Sequence, residues 1–133
     1  MKARPRSLVL PAIALIAFLV AGCGPKPVTF NVEMSDFKFT PAAFEADGGA
    51  DVTLVLSNVA SVEHEWVLFE KDYQVTLPFD DDDEGHIYWE GEVEPGETQT
   101  FTFVAPEEPG QYQVTCGVAG HAEAGMFGTF TVR

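Results

Sequence analysis

The chain reads as an all-β protein, a Greek-key antiparallel β-sandwich, and three observations carry that reading. Apolar and polar residues alternate with period two along most of residues 28–133, Gly, Pro and Asp punctuate the alternation at short intervals, and no stretch carries the 3.6-residue period of an amphipathic helix. At 133 residues the chain holds one domain's worth of sequence, with enough apolar content for a modest core.

The first strand is expected where Val28, Phe30, Val32 and Met34 alternate with Thr29, Asn31 and Glu33. Phe37–Phe39 and Phe44–Ala46 follow as two short strands. Val52, Leu54 and Leu56 then alternate with Asp51, Thr53 and Ser57, with Val55 intruding on the polar row. Glu65–Phe69 and Ile87–Glu90 are the next candidates. Phe101 and Phe103 alternate with an outward row of Thr98, Thr100 and Thr102. Gln111–Cys116 and Phe127–Val132 complete the set. The turns fall at Gly48-Gly49, Glu94-Pro95-Gly96-Glu97 and Pro106–Gly110. Met34, Trp66, Trp89 and Tyr112 are read as core or half-buried residues.

Residues 1–22 are not part of this domain. Lys2, Arg4 and Arg6 precede an uncharged, mostly apolar run from Leu8 to Gly22, too short for a membrane span of about 20 residues but suited to a secretory signal peptide. The run ends in Leu19-Val20-Ala21-Gly22-Cys23, which resembles a bacterial lipobox. That resemblance implies cleavage before Cys23, lipidation of Cys23 and an extracytoplasmic domain, periplasmic or on the outer face, anchored to the membrane. An uncleaved signal anchor would hold the same domain at the same membrane. Residues 23–27 form a lipidated cysteine and a short, stiff tether, and the folded domain spans residues 28–133.

The chain has 7 basic and 21 acidic residues, and the signal segment takes three of the basic ones and no acidic one, which leaves the mature part at −17. Such a surface repels nucleic acid and anionic lipid headgroups and attracts basic proteins. Its densest stretch is Asp80-Asp81-Asp82-Asp83-Glu84. This run reads either as a solvated loop or as a docking patch for a cationic redox partner. A calcium loop fits poorly, because the acids are contiguous and lack a central Gly.

The most informative segment is Cys116-Gly-Val-Ala-Gly-His121-Ala-Glu-Ala-Gly-Met126. A thiolate, an imidazole and a thioether stand at five-residue steps in a Gly/Ala loop. Soft sulfur ligands select copper, and two His, one Cys and a weak axial Met form the ligand set of a blue-copper electron-transfer site. With Cys23 acylated, Cys116 has no disulfide partner, which favours a metal. The second histidine is assigned to His64, in the loop before the Glu65 strand. His86, which follows the acidic run, is its competitor and is expected on the surface. Gly117, Gly120 and Gly125 are expected to bend the loop around a small ion.

The segment from Gly110 to Val132 resembles the C-terminal copper loop of the cupredoxins of the plastocyanin/azurin group, with spacing closest to auracyanin and rusticyanin. The likeness is looser over residues 28–103, where it rests on strand pattern, the loop ending at His64 and the Pro95-Gly96-Glu97 turn. The resemblance implies one type 1 copper, with His64, Cys116 and His121 as equatorial ligands and Met126 as axial ligand. It also implies a monomeric carrier that passes single electrons between redox proteins through an apolar patch around His121. A basic c-type cytochrome or a membrane redox complex would suit as partner. One departure stands out: Glu65 follows the first histidine where the family often has Asn, which bears on the hydrogen bonding around the thiolate and hence on the potential, but not on copper binding.

Other classes fit less well. A copper oxidase or nitrite reductase needs more ligands than three histidines allow, and a dinuclear copper centre needs two cysteines in its loop. No Cys-x-x-Cys-His for a c-type haem occurs. A copper carrier or storage lipoprotein could use the same four residues and stays open as the alternative. A metal-free adhesion sandwich leaves the Cys-His-Met spacing unexplained.

Overall fold

The computed structural model describes residues 24–133. The signal segment 1–22 and the lipidation site Cys23 lie outside the described residues. Nine strands and one short helix follow in order: β1 (Val28–Ser35), β2 (Lys38–Thr40), β3 (Ala43–Ala46), β4 (Asp51–Asn58), β5 (His64–Phe69), α1 (Asp81–Glu84), β6 (Ile87–Val93), β7 (Thr98–Val104), β8 (Gly110–Thr115) and β9 (Phe127–Val132). They form a sandwich of a four-stranded sheet, β2-β1-β4-β7, and a five-stranded sheet, β3-β9-β8-β5-β6.

The sandwich agrees with the period-two pattern, but the sheets are mixed rather than purely antiparallel. β1 pairs with β4 in parallel, Val28 opposite Val52, and β3 pairs with β9 in parallel, Phe44 opposite Phe130. Alternation reports which face of a strand is buried and is silent on direction. Here the chain leaves β1 through a tight turn into β2, crosses to the other sheet as β3, and returns as β4 beside β1. A connection that crosses between layers frees the returning strand from the antiparallel sense that a hairpin imposes.

The core lies between the sheets. Val52, Leu54 and Leu56 of β4 alternate inward with their polar neighbours, facing Trp66, Leu68, Val114 and Phe130 of the other sheet. Met34 and Trp66 are fully buried and Tyr112 nearly so. Trp89 is half-buried, and its ring stacks on Phe103 (centroids 4.8 Å apart) to close the edge between β6 and β7.

β5 departs from simple alternation, because Val67 and Phe69 on its outer face are as buried as Trp66 and Leu68 on its inner face. Residues 70–86 fold back over that outer face, with Tyr73 stacked on Phe69 and Phe79 set edge-on to it. His86 is exposed as expected, with its ring stacked on Tyr73 at 4.0 Å and Nδ1 3.3 Å from Glu70 Oε2.

The acidic run is not a uniform surface patch. Asp80 caps α1 through a capping box, and Asp83 is fully buried. Its carboxylate accepts hydrogen bonds from Tyr73 Oη–H (2.6 Å), Thr76 N–H (3.2 Å) and Asp80 N–H (3.2 Å). Burial alone would push the Asp83 carboxyl up, but these donors hold it below the ordinary carboxylate range. Asp80, Asp81, Asp82 and Glu84 remain exposed. Asp83 therefore leaves the candidate docking patch: it is the post on which the 70–86 segment is hung.

Removing that post strands three donors. Asp83→Ala should lower unfolding stability by about 2 kcal/mol. Asp81→Ala, at an exposed neighbour, should stay within about 0.5 kcal/mol of the parent. Urea unfolding at pH 7 checks both, and coincident curves for the two variants would rule out this role for Asp83.

Candidate metal centre

His64, Cys116 and His121 meet at one end of the sandwich, and the sheet register brings them there. β5 and β8 lie side by side in antiparallel register, Val67 opposite Thr115 and Leu68 opposite Val114. The start of β5 therefore adjoins the residue that follows β8. His64 is the first residue of β5, paired with Val93 of β6, and not part of the preceding loop as the sequence suggested. Its backbone is thereby fixed against β6.

Within this framework three donor atoms converge. His64 Nδ1 and His121 Nδ1 are 3.1 Å apart, and Cys116 Sγ is 3.6 Å from the former and 3.3 Å from the latter. The centre of such a triangle lies about 2 Å from each corner, the bond length of imidazole nitrogen and thiolate sulfur to a first-row metal ion. Without a cation these atoms satisfy one another poorly, since two facing imidazole nitrogens can share at most one proton. Burial, followed by the neighbouring His121, lowers the pKa of His64 and so favours its neutral ring, the form that ligates a metal. Burial pushes the Cys116 thiol up to about 11, against the opposing pull of backbone N–H groups from Glu65 and Val118. Those two donors sit where a thiolate would accept them.

Glu65 N–H lies 3.4 Å from Cys116 Sγ, so the backbone of residue 65 provides the hydrogen bond that its side chain was not expected to provide. That side chain turns outward to lie against Gly117, where any Cβ would collide with its carboxylate. Gly117 leaves room for that carboxylate, whereas Gly120 and Gly125, at φ of +85° and +93°, make the bends. The loop is closed by Cys116 N–H to Met126 C=O (3.2 Å) and Met126 N–H to His121 C=O (3.0 Å). Met126 is fully buried, and its backbone is hydrogen-bonded to that of Cys116. The donor set fits one copper of type 1, with His64, Cys116 and His121 in the converging triangle and Met126 next to it. His86 stands outside this cluster.

Two supporting residues escaped the sequence reading. Asn58, at the inward phase of β4 and almost fully buried, donates from Nδ2 to Val62 C=O (2.8 Å) and Val93 C=O (2.9 Å) and accepts from Ala60 N–H (2.9 Å). It ties together the segment that enters His64 and the strand opposite it. A polar residue in phase with Val52, Leu54 and Leu56 was the available signal. Phe37, expected in a strand, instead lies in the β1–β2 turn, with its ring 5.3 Å from that of His121.

The electrostatics around the site are one-sided. Glu65 of β5 faces Glu92 of β6, and Glu63, Glu92 and Glu94 gather beside them. Burial, followed by Glu90 and Glu92, raises the pKa of Glu65, and burial followed by Glu92 raises that of Glu63. Glu65, Glu84 and Glu90 also line a cleft of about 580 Å³ that reaches Gly117. At the other side of the site, Phe37 and Val62 are half-exposed, His121 is 8% exposed and His64 is wholly covered. The His64 Nε2 atom is buried with no hydrogen-bond partner among the described residues.

Comparison with known proteins agrees with this fold. Similar folds include auracyanin from Roseiflexus castenholzii (TM-score 0.63, 23% identity, covering 79% of this chain and 96% of that one). Auracyanin B has a TM-score of 0.64 at 24% identity, covering 79% of this chain and 88% of the other. Auracyanin A, described as a "blue" copper protein of Chloroflexus aurantiacus, has a TM-score of 0.65 at 24% identity, covering 80% and 99%. No curated protein matches the chain. Residues 8–132 match the Cupredoxin-like domain, and this protein belongs to the cupredoxin-like family.

Proposed function

We propose that the protein is a blue-copper electron carrier and not an enzyme. It works as a lipid-anchored monomer outside the bacterial cytoplasm and passes single electrons between redox proteins. The observation that carries this reading is the buried convergence of His64 Nδ1, Cys116 Sγ and His121 Nδ1 at 3.1–3.6 Å, beside a buried Met126. Bound copper supplies the one-electron couple between Cu(II) and Cu(I). The chain supplies fixed donors: His64 and the Cys116 partner N–H come from a strand, and the His121 loop is locked by its own backbone hydrogen bonds. A site that keeps one geometry in both oxidation states needs little reorganisation. His121 is the donor that reaches the surface, so its exposed edge is the port for the electron.

The position of the start of β1 supports anchoring through Cys23. β1 starts beside the start of β4, whereas Asn58 at the end of β4 holds the segment entering His64. Eight strand residues, about 25 Å, thus separate Val28 from the donor end. A lipid on Cys23 with the short tether of residues 24–27 would direct the donors away from the bilayer and toward soluble partners.

The acidic flank supports a basic partner such as a c-type cytochrome. A glutamate row that raises its own members' pKa values costs stability, because a carboxyl with a raised folded pKa favours the folded state only at acid pH, and that advantage is lost as pH rises through the raised value. Glu92→Gln, which relieves Glu65 and Glu63, should raise the urea midpoint of the metal-free domain at pH 7, with the gain gone near pH 3. The same variant should slow electron transfer to a cationic cytochrome, as should added salt, because exposed charges are screened within about 10 Å at 0.1 M. Rates indifferent to both would exclude electrostatic docking.

The decisive experiment is a visible spectrum of residues 24–133 with one equivalent of Cu(II), with Cys116→Ser as control. An intense thiolate-to-copper band should bleach with ascorbate, return with ferricyanide and be missing in the control. Met126→Leu should keep the band and raise the potential. Pale protein, or copper that is lost on reduction, is what a copper carrier or storage protein would give and would overturn the electron-transfer reading.

A further inference from the structure

We infer that Phe37 is a positioning residue for His121, retained at a strained backbone position because its ring holds the outer ligand in place. Two independent observations meet at this residue. Asp36 and Phe37 alone link β1 to β2, with Ser35 opposite Lys38, and Phe37 takes φ of +57°. The left-handed region crowds the Cβ of an L-residue, and a turn of this kind is ordinarily given to Gly or Asn. The Phe37 side chain is 49% exposed, so core burial does not offset that strain. Its ring does make one specific contact: it stands at 90° to the imidazole of His121, centroids 5.3 Å apart. That edge-to-face arrangement is the one aromatic quadrupoles favour.

His121 is the ligand that needs such a restraint. His64 is buried within β5, but His121 sits in a loop that turns on two left-handed glycines. Hydrogen bonds from His121 N–H to Val118 C=O (3.0 Å) and from Met126 N–H to His121 C=O (3.0 Å) fix its backbone and leave its side-chain torsions free. The His64 ring borders it inside the site (centroids 4.8 Å apart), and Phe37 borders it on the outside. Held between them, His121 keeps Nδ1 turned toward Cys116 Sγ and His64 Nδ1. The purpose of this restraint rests on the copper reading above, whereas the contact is a property of the polypeptide and is testable without metal.

Three variants separate positioning from simple structural support. In metal-free protein, Phe37→Gly should broaden or split the His121 ring signals in NMR spectra. Its urea midpoint should not fall, because the strain that glycine removes offsets the loss of a half-exposed ring. In copper-loaded protein, the rate of Cu(I) transfer to a bathocuproine chelator should rise about two- to ten-fold, the range expected for losing one aromatic pair. Phe37→Leu should show the same ring disorder with a midpoint no higher than the parent's, and Phe37→Tyr should restore parental behaviour. Parental ring signals and chelator rates in Phe37→Gly would overturn the inference, as would full rescue by leucine, which would reduce the contact to apolar bulk. A parent protein without the blue band would sink the copper reading but leave the metal-free NMR comparison intact.

Discussion

The metal end of this domain depends on β5 and β8 lying antiparallel against each other. That register sets Glu65 N–H against Cys116 Sγ and so joins two segments more than fifty residues apart in the chain. His64 precedes that contact by one residue, and the loop carrying His121 and Met126 begins at the cysteine itself. Slipping the pairing by one residue would turn His64 from the inner face of the sheet to the outer one. Other elements serve to keep the register from slipping. Asn58 fastens the entry to β5, Trp66 and Leu68 lock its inner face into the core, and Phe69 is clamped from outside by Tyr73 and Phe79.

A second feature is the amount of unfavourable energy gathered at this end. Two imidazole nitrogens face each other at 3.1 Å, a thiol is buried far from its ordinary pKa, and His64 Nε2 is without a partner among the described residues. A row of glutamates repels itself along β5 and β6, and an aromatic residue occupies a left-handed turn. The opposite end carries ordinary features, such as the Arg133 pairing with Glu45 and Asp47. Local rules are broken where a site must bind something, and the well-packed remainder of the sandwich offsets the cost. Folding this end without its cation leaves the donors unsatisfied, so the cation and the fold favour each other.

Much of this was legible in the sequence. The strand alternation, the Cys116-His121-Met126 spacing and the choice of His64 over His86 all reappear in the structure, because side-chain period and donor chemistry are local properties. What was hidden is non-local. Strand direction in β1 and β4 depends on where the chain crosses between sheets, which no alternation encodes. The buried role of Asp83 depends on Tyr73, ten residues away, folding back onto it. Phe37 read as a strand residue because aromatic residues favour strands. Only the one-to-one register of Ser35 with Lys38 reveals a two-residue turn there. Glu65 looked like a lost hydrogen bond from its side chain, yet the backbone N–H supplies the contact whatever residue stands at that position.

The two histidines divide the work that a single buried ligand could not do. Complete burial, as at His64, fixes geometry but isolates the site from any partner. Exposure, as at His121, admits a partner but gives the ring freedom to move. In the proposed carrier the conflict is met by leaving one donor edge at the surface beside small, exposed loop residues, Ala119 and Gly120, that would let a redox partner approach closely. The restraint lost by placing His121 in a glycine-hinged loop then has to come from a neighbour outside that loop. The β1–β2 turn is the element within reach, and its strained aromatic residue follows from that requirement.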